Sequence, residues 1–313
     1  MKKFLIKILL LLLPVFILAV SMEYLLRKIP NGYAERRNYL DKYAGEIEML
    51  ILGHSHTWNG IDAEYFLQTV FNAAMGSQSL NIDFEIFCKF RKDFNKLKVI
   101  ILPISYHSLF FQLESSEERW RKAKYVIHYG LKARQLTDHL EIFNNNLTVI
   151  FNTIYKNYVN KNDNNLINID GFDNDEKIED KVDYMRRHGK ARALDHTFNI
   201  HSKEVNNAFA ENVEILNLFA EICSQDDILL IFITTPVYHT YRENINYEQF
   251  NKMIDAINSF EKYDNVHYID YFADSDFTIE DYLNSDHLNK IGAYKLSTKL
   301  ANYIDCLDVF KQQ

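Results

Sequence analysis

The chain of 313 residues has little cysteine, proline or glycine: three, four and nine residues, respectively. Its cysteines (Cys88, Cys223 and Cys306) lie in apolar segments and lack the C-x-x-C spacing of metal and redox motifs. The sequence therefore argues against a disulfide framework and a cysteine metal site, and we expect three buried free thiols. Because glycine is rare, each one marks a backbone position of interest.

The chain also lacks an excess of positive charge. Lys and Arg number 35 and Asp and Glu number 43, a formal net charge of −8. A negative chain is a poor ligand for polyanions, so we predict no nucleic-acid partner. With 47% hydrophobic and 25% charged residues, the composition is that of a globular protein. The length suits one large domain or one domain with an insertion.

The N-terminus combines lysines with a long apolar run. Three lysines precede Ile8–Val20, and extension from Phe4 to Leu26 approaches the ~20 residues that a bilayer-spanning helix needs. We predict an uncleaved signal anchor over 1–28, with a cytoplasmic N-terminus and an extracytoplasmic body. Two alternatives remain open: cleavage of a signal peptide after a small-residue pattern at 19–21, and a buried helix. The bilayer is thus an expected partner.

In the body, short apolar segments alternate with helical ones. Apolar runs predict strands over 48–53, 69–75, 98–105, 227–235 and 266–271, and helical periodicity appears over 79–94, 205–223, 247–263 and 288–304. Strands that are apolar on both faces and alternate with helices predict a parallel sheet covered on both sides, in an α/β/α sandwich. Such sheets bind ligands at the carboxyl ends of their strands.

The alternation fails between the third and fourth strands. We expect a tether over 29–45, an α/β/α domain over 46–106 and 202–313, and a helical insertion or cap over 107–201. The insertion contains Asn144–Asn146, a polar run over 160–183 and a basic stretch over 186–192. For the basic stretch, a solvated surface is favoured over an anion-binding one.

Three separate blocks carry residues suited to catalysis. Ser55 follows the first strand, where a serine can present its hydroxyl and its backbone N–H to one space. Gly76 follows the second strand, where it serves as an oxyanion donor or as part of an ordinary turn. Asp286 and His287 precede the last helix, where the histidine can act as a base. Alternatively, Asp286 or Ser285 caps that helix and His287 lies on the surface.

Together, these blocks resemble the SGNH/GDSL hydrolase superfamily from Met49 to about Thr298. The segments ILGHSHTWNGID, FNAAMGSQSL and SDHLNKIGAYKLS carry the resemblance, with TTPVYHTY after the fourth strand. The chain looks most like the membrane-anchored branch that includes the D-alanyl-lipoteichoic-acid transfer and polysaccharide O-acetylation proteins. This resemblance implies a three-layer α/β/α fold around a central parallel sheet.

The resemblance assigns roles to individual residues. Ser55 would be the nucleophile and His287 the general base, with the N–H groups of Ser55 and Gly76 in the oxyanion hole. Two positions depart from the family pattern. The usual asparagine after the third strand is missing, so either one oxyanion donor is absent or a hydroxyl of Ser105 or Tyr106 replaces it. At the position of the usual aspartate, three residues before the histidine, the chain has Asn284, which would orient the ring as a neutral partner. The nearest carboxylate belongs to Asp286.

Other polar residues near the strand ends are candidates for substrate contact. We expect His54, His56, Tyr106 and His239 to line the site, although His239 also fits a surface turn. The Gly-His-x-His pattern at 53–56 also occurs in binuclear-metal phosphoesterases, but no further ligand motif precedes it. We therefore predict no metal and no cofactor.

The resemblance implies an anchored, extracytoplasmic O-acyltransferase or esterase that acts on a cell-envelope glycan. A membrane-bound donor transporter or transferase would then be a partner. The alternative is an SGNH-like binding or assembly protein of an envelope acylation system with weak or no catalysis, as the two departures suggest. A metal-dependent phosphoesterase that uses His54 and His56 is the third hypothesis.

Overall fold

A computed structural model describes residues 1–144, 146–160, 180–307 and 309–310. Asn145 and residues 161–179, within the predicted insertion, lie outside the described residues, as do 308 and 311–313.

The centre of the fold is a five-stranded parallel sheet. The strands are β1 (Met49–Ile51), β2 (Val70–Asn72), β3 (Val99–Pro103), β4 (Leu229–Thr234) and β5 (Val266–Asp270). Their order is β2-β1-β3-β4-β5, and every neighbouring pair is parallel. The chain therefore winds outward in both directions from the gap between β1 and β3. In such sheets, ligands bind at this gap, beyond the carboxyl ends of the strands.

The helices of the described residues are α1 (Lys2–Lys28), α2 (Gly32–Tyr43), α3 (Ser55–Gly60), α4 (Leu80–Phe90), α5 (Arg121–Lys124), α6 (Leu147–Tyr158), α7 (Lys181–Asp195), α8 (Lys203–Gln225), α9 (His239–Arg242), α10 (Tyr247–Asn258) and α11 (Lys290–Cys306). Short 3-10 turns connect several of them.

Helices cover both faces of the sheet. On one face, Ile51 and Ile101 belong to a core that includes Leu296 and Leu300 of α11. On the other, Phe87 of α4 stacks on Phe219 of α8. The residues of β1 and β3 are fully buried, as expected for a sheet packed on both sides. The predicted α/β fold with a central parallel sheet is therefore confirmed.

Two local expectations differ from the structure. The segment predicted as a tether contains helix α2, in which Tyr33 and Leu40 are buried. The expectation of three buried thiols was wrong for Cys88 and Cys306, which are exposed, and only Cys223 is buried. Both exposed cysteines lie on the outward faces of amphipathic helices, and the apolar sequence around them did not distinguish these faces from the buried ones.

The chain divides into two compact units. The first contains Met1–Tyr39 and the described part of Glu117–Ile169, and the second contains Leu40–Ser116 and the described part of Asp170–Gln313. The sheet belongs to the second unit. The first includes α1, which among the described residues is the one helix long and apolar enough to cross a membrane.

Candidate active site

Ser55 lies at a tight turn between β1 and α3. Gly53 has a φ of +105°, and a Cβ there would lie 2.1 Å from Cγ of Pro103 at the end of β3. Only glycine fits both the conformation and the close approach. The His54 side chain then caps α3 by accepting a hydrogen bond from the His56 N–H at 3.3 Å. Ser55 is therefore held at the start of α3, at the gap between β1 and β3.

The loops after β1 and β2 are connected through a buried carboxyl group. Oδ1 of Asp83, on α4, accepts hydrogen bonds from the Gly53 N–H at 2.8 Å and from Nε2 of Gln78 at 2.6 Å. The Met75 N–H also donates to the Gly53 carbonyl at 3.1 Å. Burial raises the pKa of Asp83 to about 8. Asp83 thus fixes the Ser55 loop relative to the Gly76 loop.

The structure brings Ser55 and His287 into hydrogen-bond contact. Oγ of Ser55 lies 2.7 Å from Nε2 of His287, and Nδ1 of that ring lies 3.0 Å from Oδ1 of Asn284. The same Asn284 oxygen accepts the backbone N–H groups of Asp286 and His287 at 3.2 and 3.0 Å. Backbone N–H groups can only donate, so the amide oxygen must face them. Nδ1 therefore carries the proton, and Nε2 presents a lone pair to the Ser55 hydroxyl.

Asp286 lies beside the same histidine and is fully buried. Its Oδ1 is 3.4 Å from Nδ1 of His287, and its Oδ2 is 3.2 Å from Nε of Arg192 and 3.5 Å from Nε2 of His56. Although burial alone would raise the pKa of Asp286, the neighbouring His287, His56 and Arg192 hold it well below its ordinary value. The carboxylate is thus charged and stabilises positive charge on the His287 ring.

A cluster of imidazoles surrounds this pair. The His54 ring lies 4.7 Å from that of His56 and 4.6 Å from that of His107, and the His56 ring lies 5.1 Å from that of His287. The ring of His107 in turn lies 4.1 Å from that of His196, tilted by 34°. Burial lowers the pKa of His54, His56, His107 and His196. These four rings are therefore neutral at pH 7.

Helix α7 supplies site residues that the sequence analysis missed. Arg192 contacts Asp286, and Nδ1 of His188 lies 2.7 Å from Oγ of Ser285. The helix packs closely because a Cβ on Gly189 would lie only 2.3 Å from Oγ1 of Thr240. The spacing of His188, Arg192 and His196 at every fourth residue places them on one helical face. That spacing was the available signal within a stretch predicted to be solvated.

The predicted oxyanion donors differ in their hydrogen bonds. Among the described residues, no hydrogen bond engages the N–H of Ser55 or Gly76. The N–H of Ser105 donates to Oγ of Ser108, and its hydroxyl lies 2.8 Å from Nδ1 of His56, so its role in place of the asparagine also stays a prediction. The roles of Ser55 and Gly76 as donors stay a prediction.

Two predicted substrate contacts are engaged elsewhere. The Tyr106 hydroxyl bonds to Oγ1 of Thr197 and accepts the Asn246 N–H, both at 2.8 Å. His239 is half exposed on α9 and pairs with Glu243 at 3.0 Å. Neither has a described hydrogen bond to Ser55 or His287. The predicted alternative that Ser285 or Asp286 caps the last helix is wrong, because Asn289 caps α11.

One set of side chains in the site could hold a cation. Ligand atoms of His56, Asp286 and His287 lie within 4.8 Å of one another. Two imidazoles and one carboxylate suit a transition metal such as Zn²⁺. Coordination of Nδ1 of His287 would displace Asn284 and leave the proton on Nε2, which could then not accept one from Ser55.

Comparison with known proteins gives limited information. No family model matches the chain, and no curated protein matches it. A structure from Streptococcus pneumonia, provisionally described as a platelet activating factor, is 11% identical, with a TM-score of 0.42, over 93% of this chain and 99% of that one. A Bacteroides fragilis structure, provisionally described as an acylhydrolase, is 9% identical, with a TM-score of 0.41, over 88% and 98%. At this similarity, neither structure bears on the activity of this chain.

Proposed function

We propose that this protein is a serine-dependent acyl-ester enzyme, an esterase or O-acyltransferase. The observation that carries the proposal is the 2.7 Å contact between Oγ of Ser55 and Nε2 of His287, in a tautomer fixed by Asn284. A serine hydroxyl, a base within hydrogen-bond reach and a third group that orients the base are the parts that nucleophilic acyl transfer needs.

The reaction would proceed in two steps, acylation of Ser55 and transfer of the acyl group to an acceptor. Oγ of Ser55 attacks the ester carbonyl while Nε2 of His287 takes its proton, and the tetrahedral intermediate expels the alcohol, which receives that proton. A water molecule or sugar hydroxyl then gives its proton to Nε2 and attacks the acyl-enzyme, which releases the acyl group and restores Ser55. Charged Asp286 stabilises the imidazolium formed in each step, and the N–H groups of Ser55 and Gly76 would bind the oxyanion.

We further propose that α1 anchors the chain in a membrane with the body outside the cytoplasm, and that the acceptor is a cell-envelope glycan. Support comes from the exposed apolar surface of α1 and from the three lysines in its first turns. A membrane-bound donor transporter or transferase would supply the acyl group, because acyl-CoA is not available in that compartment.

Labelling with an organophosphonate and turnover of a small acetyl ester test the chemistry together. We expect stoichiometric labelling of the wild-type chain, none of Ser55→Ala, and wild-type labelling of the exposed control Ser224→Ala. Ser55→Ala should also abolish acyl-enzyme formation. Undiminished ester turnover by Ser55→Ala would refute the mechanism.

A binding or assembly protein is the second candidate, favoured by the engagement of Ser105 with His56 and Ser108. The site then lacks one oxyanion donor, and the loss of such a donor typically costs ~100–1,000-fold in rate. This candidate predicts no labelling of Ser55 but measurable binding to an envelope glycan. Clean stoichiometric labelling would argue against it.

The effect of a metal on activity distinguishes a metal-dependent phosphoesterase from the proposed serine enzyme. If Ser55 and His287 act as proposed, Zn²⁺ at His56, Asp286 and His287 inhibits ester turnover, and a chelator restores it. If the protein is a phosphoesterase, metal analysis finds a bound ion, and a chelator abolishes phosphodiester hydrolysis.

A further inference from the structure

Helix α6 carries an apolar stripe that faces solvent in the first unit. Leu147, Phe151 and Tyr155 follow one another at intervals of four residues, and their exposures are 65%, 51% and 56%. Tyr158, 38% exposed, lies on the same side of the helix. An exposed aromatic and aliphatic stripe of this length usually marks an interaction surface.

The rest of α6 is arranged as in a helix at an apolar–polar boundary. Ile150 is buried against the first unit, and the adjacent side carries Thr148, Asn152 and Lys156, again at intervals of four. The helix has no acidic residue. A wide apolar arc beside a polar arc with a cationic residue is the pattern of helices that lie in a membrane interface.

Contacts with α1 place α6 near the end of the membrane-spanning segment. The Tyr158 hydroxyl donates to the Leu25 carbonyl at 2.8 Å. The Glu23 carboxylate accepts the N–H groups of Glu141 and Ile142, in the turn that leads to α6, at 3.2 and 3.1 Å. Met22 is buried, whereas nearly all of Ile8–Val20 is exposed. Both ends of the α6 segment are thus bound to the stretch of α1 that follows the exposed run.

The length of the exposed apolar run of α1 favours contact between α6 and lipid at the end of that run. The exposed run of α1 from Phe4 to Val20, with Lys7 inside it, has 17 residues and spans about 26 Å at 1.5 Å per residue, whereas the hydrocarbon core is about 30 Å thick. Lys2 and Lys3 limit the apolar surface at one end. At the other end, the last turns of α1 are partly covered, so the apolar surface at that depth comes from the α6 stripe.

We propose that α6 lies in the interface of the bilayer that α1 crosses, with Leu147, Phe151 and Tyr155 in contact with lipid. Tyrosine is enriched at this depth because its ring is apolar and its hydroxyl is polar. Lys156 would then face the lipid phosphates. This proposal rests on the proposed anchoring by α1, and it does not depend on the Ser55 chemistry.

Spin-label accessibility in vesicles tests the proposal with the full chain. The background variant carries Cys88→Ser and Cys306→Ser, which remove both exposed thiols and keep buried Cys223. A nitroxide is attached at Phe151→Cys or, as the matched control one residue away on the polar side, at Asn152→Cys. The samples are vesicles of phosphatidylcholine and phosphatidylglycerol, and the readout is the ratio of oxygen to nickel-chelate collisions.

We expect the ratio at position 151 to exceed that at 152 severalfold, because oxygen concentrates in lipid and the chelate stays in water. Equal ratios typical of water would overturn the proposal. Suppression of both collision rates at 151 would also overturn it, since that result indicates a protein occupant such as a second copy. If the chain does not float with the vesicles, α1 does not anchor it, and the proposal is overturned as well. Leu147→Cys repeats the measurement in case the first substitution perturbs α6.

Ester turnover is measured on the same vesicles. Wild-type turnover together with a water-like label at 151 refutes the α6 proposal alone. A lipid-facing label in a chain without turnover refutes the enzymatic proposal alone.

Discussion

Replacement of Asn284 by leucine tests how the proposed general base, His287, is oriented. The Asn284 oxygen is the acceptor nearest to Nδ1 of His287, at 3.0 Å, and leucine has a similar volume but no acceptor. The other described oxygen in reach is Oδ1 of Asp286, at 3.4 Å, which is long for a hydrogen bond. In Asn284→Leu, the ring is therefore free to place its proton on Nε2, where it blocks acceptance of the Ser55 proton.

The expected magnitude follows from the two distances. In serine hydrolases whose orienting group is changed so that the imidazole takes the wrong tautomer, kcat falls about 10⁴-fold. Here the Asp286 carboxylate can recapture part of the Nδ1 proton population. We therefore expect kcat/KM for a small acetyl ester to fall about 100-fold, equivalent to about 2.7 kcal/mol of transition-state stabilisation.

The matched control is Asn284→Asp, which keeps an oxygen at the same position and should retain most of the activity. The substitution to leucine also removes the acceptor of two backbone N–H groups, so urea unfolding must show that each variant is folded at the assay temperature. A folded Asn284→Leu variant with wild-type kcat/KM would refute this account of the tautomer.

Three further predictions concern stability. Because burial raises the pKa of Asp83 to about 8, the native chain binds one more proton at this group than the unfolded chain between about pH 4 and 8. In urea titrations, the free energy of unfolding of the wild type relative to Asp83→Asn should therefore fall across this range by up to ~1.4 kcal/mol per pH unit, and a constant difference would contradict the argument. Gly53→Ala should lower the free energy of unfolding by about 3 kcal/mol or more in urea titrations, because the added Cβ clashes at a φ of +105°. In the control Gly60→Ala, the added Cβ has no contact below 3.6 Å, and the cost should be under about 1 kcal/mol. Equal effects of the two substitutions would contradict the argument. Arg192→Met removes a cation that lowers the pKa of Asp286, so the free energy of unfolding at pH 7 should fall by about 2 kcal/mol. Destabilisation by acid should begin at a higher pH than in the wild type, and an unchanged onset would contradict the pairing of Arg192 with Asp286.

The sheet was predictable because its strands are short, apolar and separated by helical periodicity. All five predicted strands contain the observed ones, with ends that differ by a few residues. The order of the strands follows from connection rules for parallel sheets only in part, since the sequence does not state on which side of β1 each strand is added.

The Ser55 and His287 blocks were predictable from their positions next to strand ends and from the resemblance. The distances between their side chains were not, because they depend on rotamers and on long-range packing. Asn284 is an example: its amide was predicted as a neutral orienting group, but its three donors come from a local turn that sequence patterns do not define.

The contribution of α7 could not be inferred from composition. A stretch with four arginine and lysine residues over 186–192 is usually solvated, and Arg186 and Arg187 are indeed exposed. The face that carries His188 and Arg192 turns inward because Gly189 permits close packing against Thr240. Packing between elements distant in sequence thus decided which charges became buried.

The crowded imidazoles have a consequence for the behaviour of the chain in acid. His54, His56, His107 and His196 stay unprotonated while buried, but each takes up a proton near pH 6.5 once the chain unfolds. Below that pH, unfolding therefore takes up as many as four protons on these rings. The equilibrium constant for unfolding then rises steeply with the proton concentration, so that acidification shifts the equilibrium toward unfolded chains.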